Sequence, residues 1–167
     1  NALHFAVSYY HTRCVKLLIQ AGADVNRVTS DLYASTPLML ISMQKEFYFD
    51  RKKFEEIAQA LVDAGADINL QDKVGKTALM YASVLTRYSQ SEEKRLAVIK
   101  FLVRMKGIEL DTKNSRGNTV LIMAARNGLW GVVQYLVDHN AALNIRENVN
   151  GLSVITFALK NRKTAVV

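Results

Sequence analysis

AGADINLQDKVGKTALMYA, from Ala64 to Ala82, holds the pattern on which the whole chain is built. Gly65 closes one helix, as glycine does where the backbone must turn left-handed, and Gly75 marks a turn in the polar segment that follows. Thr77 then opens a second helix. Its hydroxyl suits the cap position, where it accepts a backbone N–H that the first turn leaves unpaired. The punctuation recurs along the chain. Gly22-Ala23-Asp24-Val25-Asn26, Gly107-Ile108-Glu109-Leu110-Asp111 and Asn140-Ala141-Ala142-Leu143-Asn144 repeat the joint. Asn1-Ala2-Leu3-His4, Thr36-Pro37-Leu38-Met39, Thr119-Val120-Leu121-Ile122 and Ser153-Val154-Ile155-Thr156 repeat the helix start. Self-similarity of this kind marks a repeat protein.

Working outward, each joint is preceded by apolar residues at helical spacing: Cys14, Val15, Leu18 and Ile19; Ile57, Ala58, Leu61 and Val62; Val98, Ile99, Leu102 and Val103; Val132, Val133, Leu136 and Val137. One domain of units at about 1–35, 36–76, 77–118 and 119–152, with a partial unit 153–167, accounts for the whole length. The chain opens inside one unit and stops inside another, so a fragment of a longer protein is expected. Cys14 and Trp130 fall on apolar helix positions and are expected in the core. The crossing segment Asp24–Ser35 is two residues longer than Asp67–Lys76 and lacks the turn glycine, which predicts a longer finger.

The spacing between paired helices is uneven. Asn1 to Leu18 and Thr119 to Leu136 each span 17 positions, whereas Thr36 to Leu61 and Thr77 to Leu102 each span 25. Equal insertions in adjacent units suggest stacked extensions, about one added turn on each helix at ~3.6 residues per turn. Phe47, Tyr48, Phe49 and Phe54 of one insertion should then meet Leu85, Tyr88 or Leu96 of the other.

These residues resemble the ankyrin repeat family. Its helix-start signature reads here NALHFA, TPLMLI, TALMYA, TVLIMA and SVITFA, in phase with the joints GADVN, GADIN, GIELD and NAALN. The resemblance implies an all-α solenoid of stacked antiparallel helix pairs joined by β-hairpin fingers. Proline is kept only at Pro37 and histidine only at His4, so the family's helix-start hydrogen bonds are expected to be mostly absent or altered. The resemblance also implies a non-catalytic protein–protein interaction scaffold. Family contacts lie at finger tips and at the ends of first helices, which by position are Tyr9, Lys73, Lys76, Arg116, Asn118, Arg126, Asn127 and Lys160. Five of these are basic and none is acidic. An acidic protein segment along units three to five is therefore the expected partner. Arginine pairs bidentately with carboxylates, so Arg116 and Arg126 should matter most, and reversing both should leave the fold intact. The alternative is a regulatory domain of a larger enzyme, channel or effector.

Other chemistries find little footing. Gly75-Lys76-Thr77 looks like the end of a phosphate-binding loop, but that motif requires glycine where Leu70 stands. His4, His11 and His139 are scattered and there is one cysteine, so neither a metal site nor a disulfide framework is expected, and no cofactor. No catalytic constellation is visible. No apolar run reaches the ~20 residues that a membrane span needs. The single cysteine suits an intracellular setting, cytoplasmic or nuclear. The net charge of +7 favours acidic partners. Nucleic acid is the less favoured of these, because the fingers offer little aromatic stacking surface beyond Tyr33.

Overall fold

The computed structural model describes residues 1–43, 49–84 and 91–160, with Lys160 described by its backbone alone. Its helices are α1 (Ala2–Ser8), α2 (Thr12–Gln20), α3 (Pro37–Ser42), α4 (Arg51–Asp63), α5 (Ala78–Ala82), α6 (Glu92–Val103), α7 (Val120–Arg126), α8 (Trp130–Asp138) and α9 (Val154–Lys160). Each first helix packs on the second helix of its own pair, α1 on α2 through α7 on α8. The pairs then stack in two layers. In one, α1 meets α3, α3 meets α5, α5 meets α7 and α7 meets α9; in the other, α2, α4, α6 and α8 follow one another. The fingers are hydrogen-bonded turns: among the described residues there is no strand, and an isolated antiparallel bridge joins Arg146 to Ser153. The all-α solenoid expected from the sequence is the fold observed.

The helix starts keep their caps. Asn1 accepts from the His4 amide at 3.1 Å, and the hydroxyls of Thr36, Thr77 and Thr119 each accept from the third helical amide at 3.3 Å. Ser153 does the same for Thr156 at 3.4 Å. The cap bonds are therefore retained, contrary to expectation, because the cap requires only a short polar side chain, whereas the histidine's own bond is lost from the four starts that lack it, as expected. Where the histidine is present, His4 Nδ1 adds a 2.6 Å contact to the Asn1 side-chain oxygen.

Among the described residues, the insertions lengthen the second helices of their pairs. α4 has 13 residues and α6 has 12, against 9 in α2 and in α8. α3 and α5 have 6 and 5, no longer than the 7 of α1 and α7. The added turn expected on the first helices would fall at 44–48 and 85–90, outside the described residues. The Ser42 hydroxyl donates to the Leu38 carbonyl and the Ser83 hydroxyl to the Met80 carbonyl, each at 2.7 Å, and such back-bonding competes with a continuing helical ladder. Asp50 and Ser91 cap the lengthened helices on the amides of Lys53 and Lys94.

Where it is described, the first insertion packs on α6 through Phe101, which is not among the expected partners. Phe54 is buried and meets Phe101 nearly edge-on at 5.4 Å, with Phe49 tilted on Phe54 at 6.3 Å. Phe49 and Leu96 line one groove. Phe47, Tyr48, Leu85 and Tyr88 lie outside the described residues. Arg95, which reads as part of a polar stretch, is fully buried, and its Nη1 donates to the Ala82 carbonyl at 3.0 Å. Trp130 packs partly buried against the core, as expected. Cys14 is exposed, against expectation. Its counterpart Val132 in α8 is buried in the stack, whereas no described element covers α2 on the Cys14 side.

Candidate functional site

Four fingers are built on one plan. The residue at the base donates its amide across the turn: Thr29 to Ser35 at 2.9 Å, then Asp72 to Lys76, Asn114 to Asn118 and Glu147 to Leu152 at 3.0 Å each. The first finger spends its two extra residues inside that closure. Ala34 takes the left-handed conformation with φ 56°, and Asp31 Oδ1 accepts the amides of Tyr33 and Ala34 at 3.0 Å each. Consecutive fingers then bond to each other. Lys73 N–H donates to Tyr33 O, Ser115 N–H to Val74 O and Asn148 N–H to Arg116 O, each at 3.0 Å. This contact is why residue 75 is glycine: a Cβ there would lie 2.9 Å from both Asn114 Cα and Ser115 N.

The joints carry a second ladder. Asn26 Nδ2 donates to the Gly65 carbonyl at 2.9 Å while its Oδ1 accepts from Asp67 N–H at 2.8 Å. Asn69 repeats both bonds, to the Gly107 carbonyl at 2.8 Å and from Glu109 N–H at 3.0 Å. Asp111 occupies the same place in the next unit and keeps the accepting half alone, from Ala142 N–H at 2.9 Å. Asn140 stands where earlier joints have glycine and takes φ 67°.

These ladders hold a groove of about 450 Å³ between the fingers and the ends of α5 and α7, lined by Tyr33, Val74, Lys76, Val84, Asn114, Ser115, Arg116, Asn118, Met123, Arg126 and Asn127. Five of the eight expected contact residues come together there: Lys76, Arg116, Asn118, Arg126 and Asn127. Lys73 is exposed on the same finger as Lys76, outside the lining. Tyr9 is exposed at the far end of the stack, its ring 4.6 Å from that of Phe5. The side chain of Lys160 lies outside the described residues.

The groove residues divide into those that hold it and those that face outward. Arg126 pairs with Glu147, whose side chain is 2 % exposed, and also donates to Asn118 Oδ1 at 3.3 Å. Its guanidinium lies 5.5 Å from the Phe157 ring centroid. Its charge is thus already answered within the fold, which corrects the expectation that Arg126 can be reversed without structural cost. Asn127 Nδ2 donates to the Ser83 carbonyl at 2.8 Å and ties α7 to α5. Lys76 Nζ lies 5.2 Å above the Tyr81 ring, and Arg116 is exposed at its finger tip. Below Lys76, Asp72 Oδ1 accepts the amides of Val74 and Lys76 at 2.9 and 2.7 Å. Burial pushes the Tyr81 hydroxyl well above the ordinary tyrosine range, reinforced by its hydrogen bond to Asp72.

The fold agrees with the comparisons to known proteins. A family profile described as "Ankyrin repeats (3 copies)" matches residues 1–72, and another described as "Ankyrin repeats (many copies)" matches residues 102–158. The chain belongs to the ankyrin repeat family. Among its relatives, Ankyrin repeat and SOCS box protein 6 of Mus musculus is 42 % identical over 82 residues, 49 % of this chain and 18 % of the relative. Rabankyrin-5 of Mus musculus is 33 % identical over 81 % of this chain and 11 % of its own length. The Nuclear factor NF-kappa-B p105 subunit of Gallus gallus is 25 % identical over 96 % of this chain and 15 % of its own length. The ankyrin chain thus matches less than a fifth of each of these relatives. Ankyrin repeats generally mediate protein–protein interaction.

Three lining residues of this ankyrin groove, Tyr33, Asn114 and Met123, escape a reading by family position. Met123 holds in its unit the place that Tyr81 holds in the one before, so the internal repeat carried the signal. For Tyr33 the only cue was the length of its finger. Among the described residues no group of three or more His, Cys, Asp or Glu side chains is placed to hold a metal ion, and no helix is long and apolar enough to cross a membrane.

Proposed function

We propose that this ankyrin chain is a non-catalytic, intracellular scaffold that binds another protein along the face formed by its fingers and first helices, and that the bound segment is acidic. The observation that carries this reading is the composition of the groove: among the described residues its lining has three cations and no carboxylate. Arg126 is neutralised by Glu147, so Lys76 and Arg116 supply the attraction. The nearby acids are occupied elsewhere, Asp72 by finger amides and Tyr81, and Glu147 by Arg126. Charges of one sign in a recess raise encounter rates with the opposite sign and discriminate against wrong partners. Tyr33 is the one aromatic side chain in that lining, which gives a single-stranded nucleic acid little to stack on. The same face would serve in a regulatory domain, a reading favoured by the greater length of the relatives.

A photo-cross-linking residue at Ser115, on the groove, is compared with one at Gln59, on the outer layer in α4. The reading predicts protein adducts from position 115 and none from position 59. Adducts from 59 alone, or equally from both, would contradict it.

A further inference from the structure

Building on that reading, we infer that the groove selects an acidic segment carrying one large apolar side chain, seated against Tyr33, Val74, Val84 and Met123 and flanked by carboxylates at Lys76 and Arg116. The four apolar walls come from separate places in the stack: two successive fingers, the end of α5 and the middle of α7. They converge because the backbone bond from Lys73 N–H to Tyr33 O sets the long first finger over the second. Tyr33 remains 52 % exposed there, and Met123 is 9 % exposed at the floor. A purely acidic ligand would leave these walls facing water. An aromatic or aliphatic side chain covers them, which is the composition of interface anchors, apolar at the centre with a charged rim.

The electrostatics place the ligand's charges. At the inner end, Arg126 Nη2 already serves Glu147 and Asn118, so its charge attracts a ligand carboxylate less than those of Lys76 and Arg116. Lys76 and Arg116 lie at the rim, Lys76 held over the Tyr81 ring and Arg116 on an exposed tip. The complementary segment therefore has its apolar residue at the centre and Asp or Glu within a few positions of it.

A library of random peptides displayed on phage, selected on the folded 167-residue chain, tests this directly. The expected consensus is one Phe, Leu, Met or Trp with neighbouring acids. A synthetic peptide of that consensus should lose at least about tenfold in affinity when its apolar residue becomes alanine. It should lose as much on Tyr33→Ser, a change at an exposed position, and on Arg116→Glu. Circular dichroism of both variants should match the parent. Acidic binders that have no apolar residue, and that are blind to Tyr33→Ser yet sensitive to Arg116→Glu, overturn this inference while leaving the acidic-partner reading in place. Binders blind to Arg116→Glu overturn both. A selection that enriches nothing on the parent chain over the Tyr33→Ser chain also overturns the inference.

Discussion

The hydroxyl of Tyr81 donates to Oδ2 of Asp72 across 2.5 Å, while Oδ1 of the same carboxylate collects the amides of Val74 and Lys76. One buried acid thus fastens a finger to the first helix behind it. The next units solve the problem differently. Asn114 takes the finger amides of Arg116 and Asn118, with Met123 in the place of Tyr81, and Glu147 turns to Arg126 above Phe157.

Tyr81→Phe removes the hydroxyl and leaves Oδ2 of Asp72 unbonded in a buried place. An unsatisfied buried acceptor costs about 1–3 kcal/mol. The melting temperature should fall, and amide exchange should quicken most at Val74 and Lys76. Unchanged exchange at those two amides would show that the finger is held without Tyr81.

Arg126→Glu and Arg116→Glu should behave oppositely in stability. The first leaves Glu147, almost fully buried, facing a second carboxylate, and losing the partner of a buried charge costs about 3–5 kcal/mol. Because Arg126 is itself partly exposed, the lower half of that range is expected. Arg116→Glu, on an exposed tip, should change stability by no more than about 0.5 kcal/mol. Urea denaturation of the two variants measures the difference.

Asp111→Asn should stabilise the chain. An amide there regains the donor that Asn26 and Asn69 use, with the Asn140 carbonyl in the place of the Gly65 and Gly107 carbonyls. One added hydrogen bond contributes about 0.5–1.5 kcal/mol. Asn69→Ala should cost a similar amount for each of its two bonds. If both changes leave the melting temperature unmoved, the side-chain ladder does not bind the units together.

The sequence punctuation located the helix starts, the left-handed joints and the long first finger, because each rests on a local requirement of one residue. Asn140 and Gly65 announce a turn wherever they stand. What the sequence hid depends on residues far apart. Arg95 looks solvated until Ala82 is placed beside it, and Arg126 looks free until the next finger brings Glu147. Cys14 shows the same limit from the other side. Its helix position promised burial, but burial needs a neighbouring element that no local pattern specifies.

Alkaline pH should weaken the fold before it ionises every tyrosine. Burial, with the Asp50 charge adding to it, pushes the Tyr10 hydroxyl up to about 12 from 10.0, and Tyr81 is raised as well. Both folded values exceed the unfolded one, so their contribution is whole below pH 10 and disappears as pH climbs toward about 12. For Tyr10 a shift of that size is worth up to about 2–3 kcal/mol. On the acid side His4 is lowered from 6.5 by burial first, so its contribution is whole above that value and fades below it. Melting temperature against pH should show both limbs, and Tyr10→Phe should flatten the alkaline one.

The most direct test of the binding face compares two charge changes of equal size. Lys76→Gln with Arg116→Glu alters the groove; Arg13→Glu with Lys16→Gln alters the exposed side of α2. Each pair is titrated calorimetrically with the acidic segment selected on the parent chain. The groove pair should weaken binding by at least about tenfold while the α2 pair leaves it within about twofold. Equal losses from both pairs, or none from the groove pair, would contradict the account.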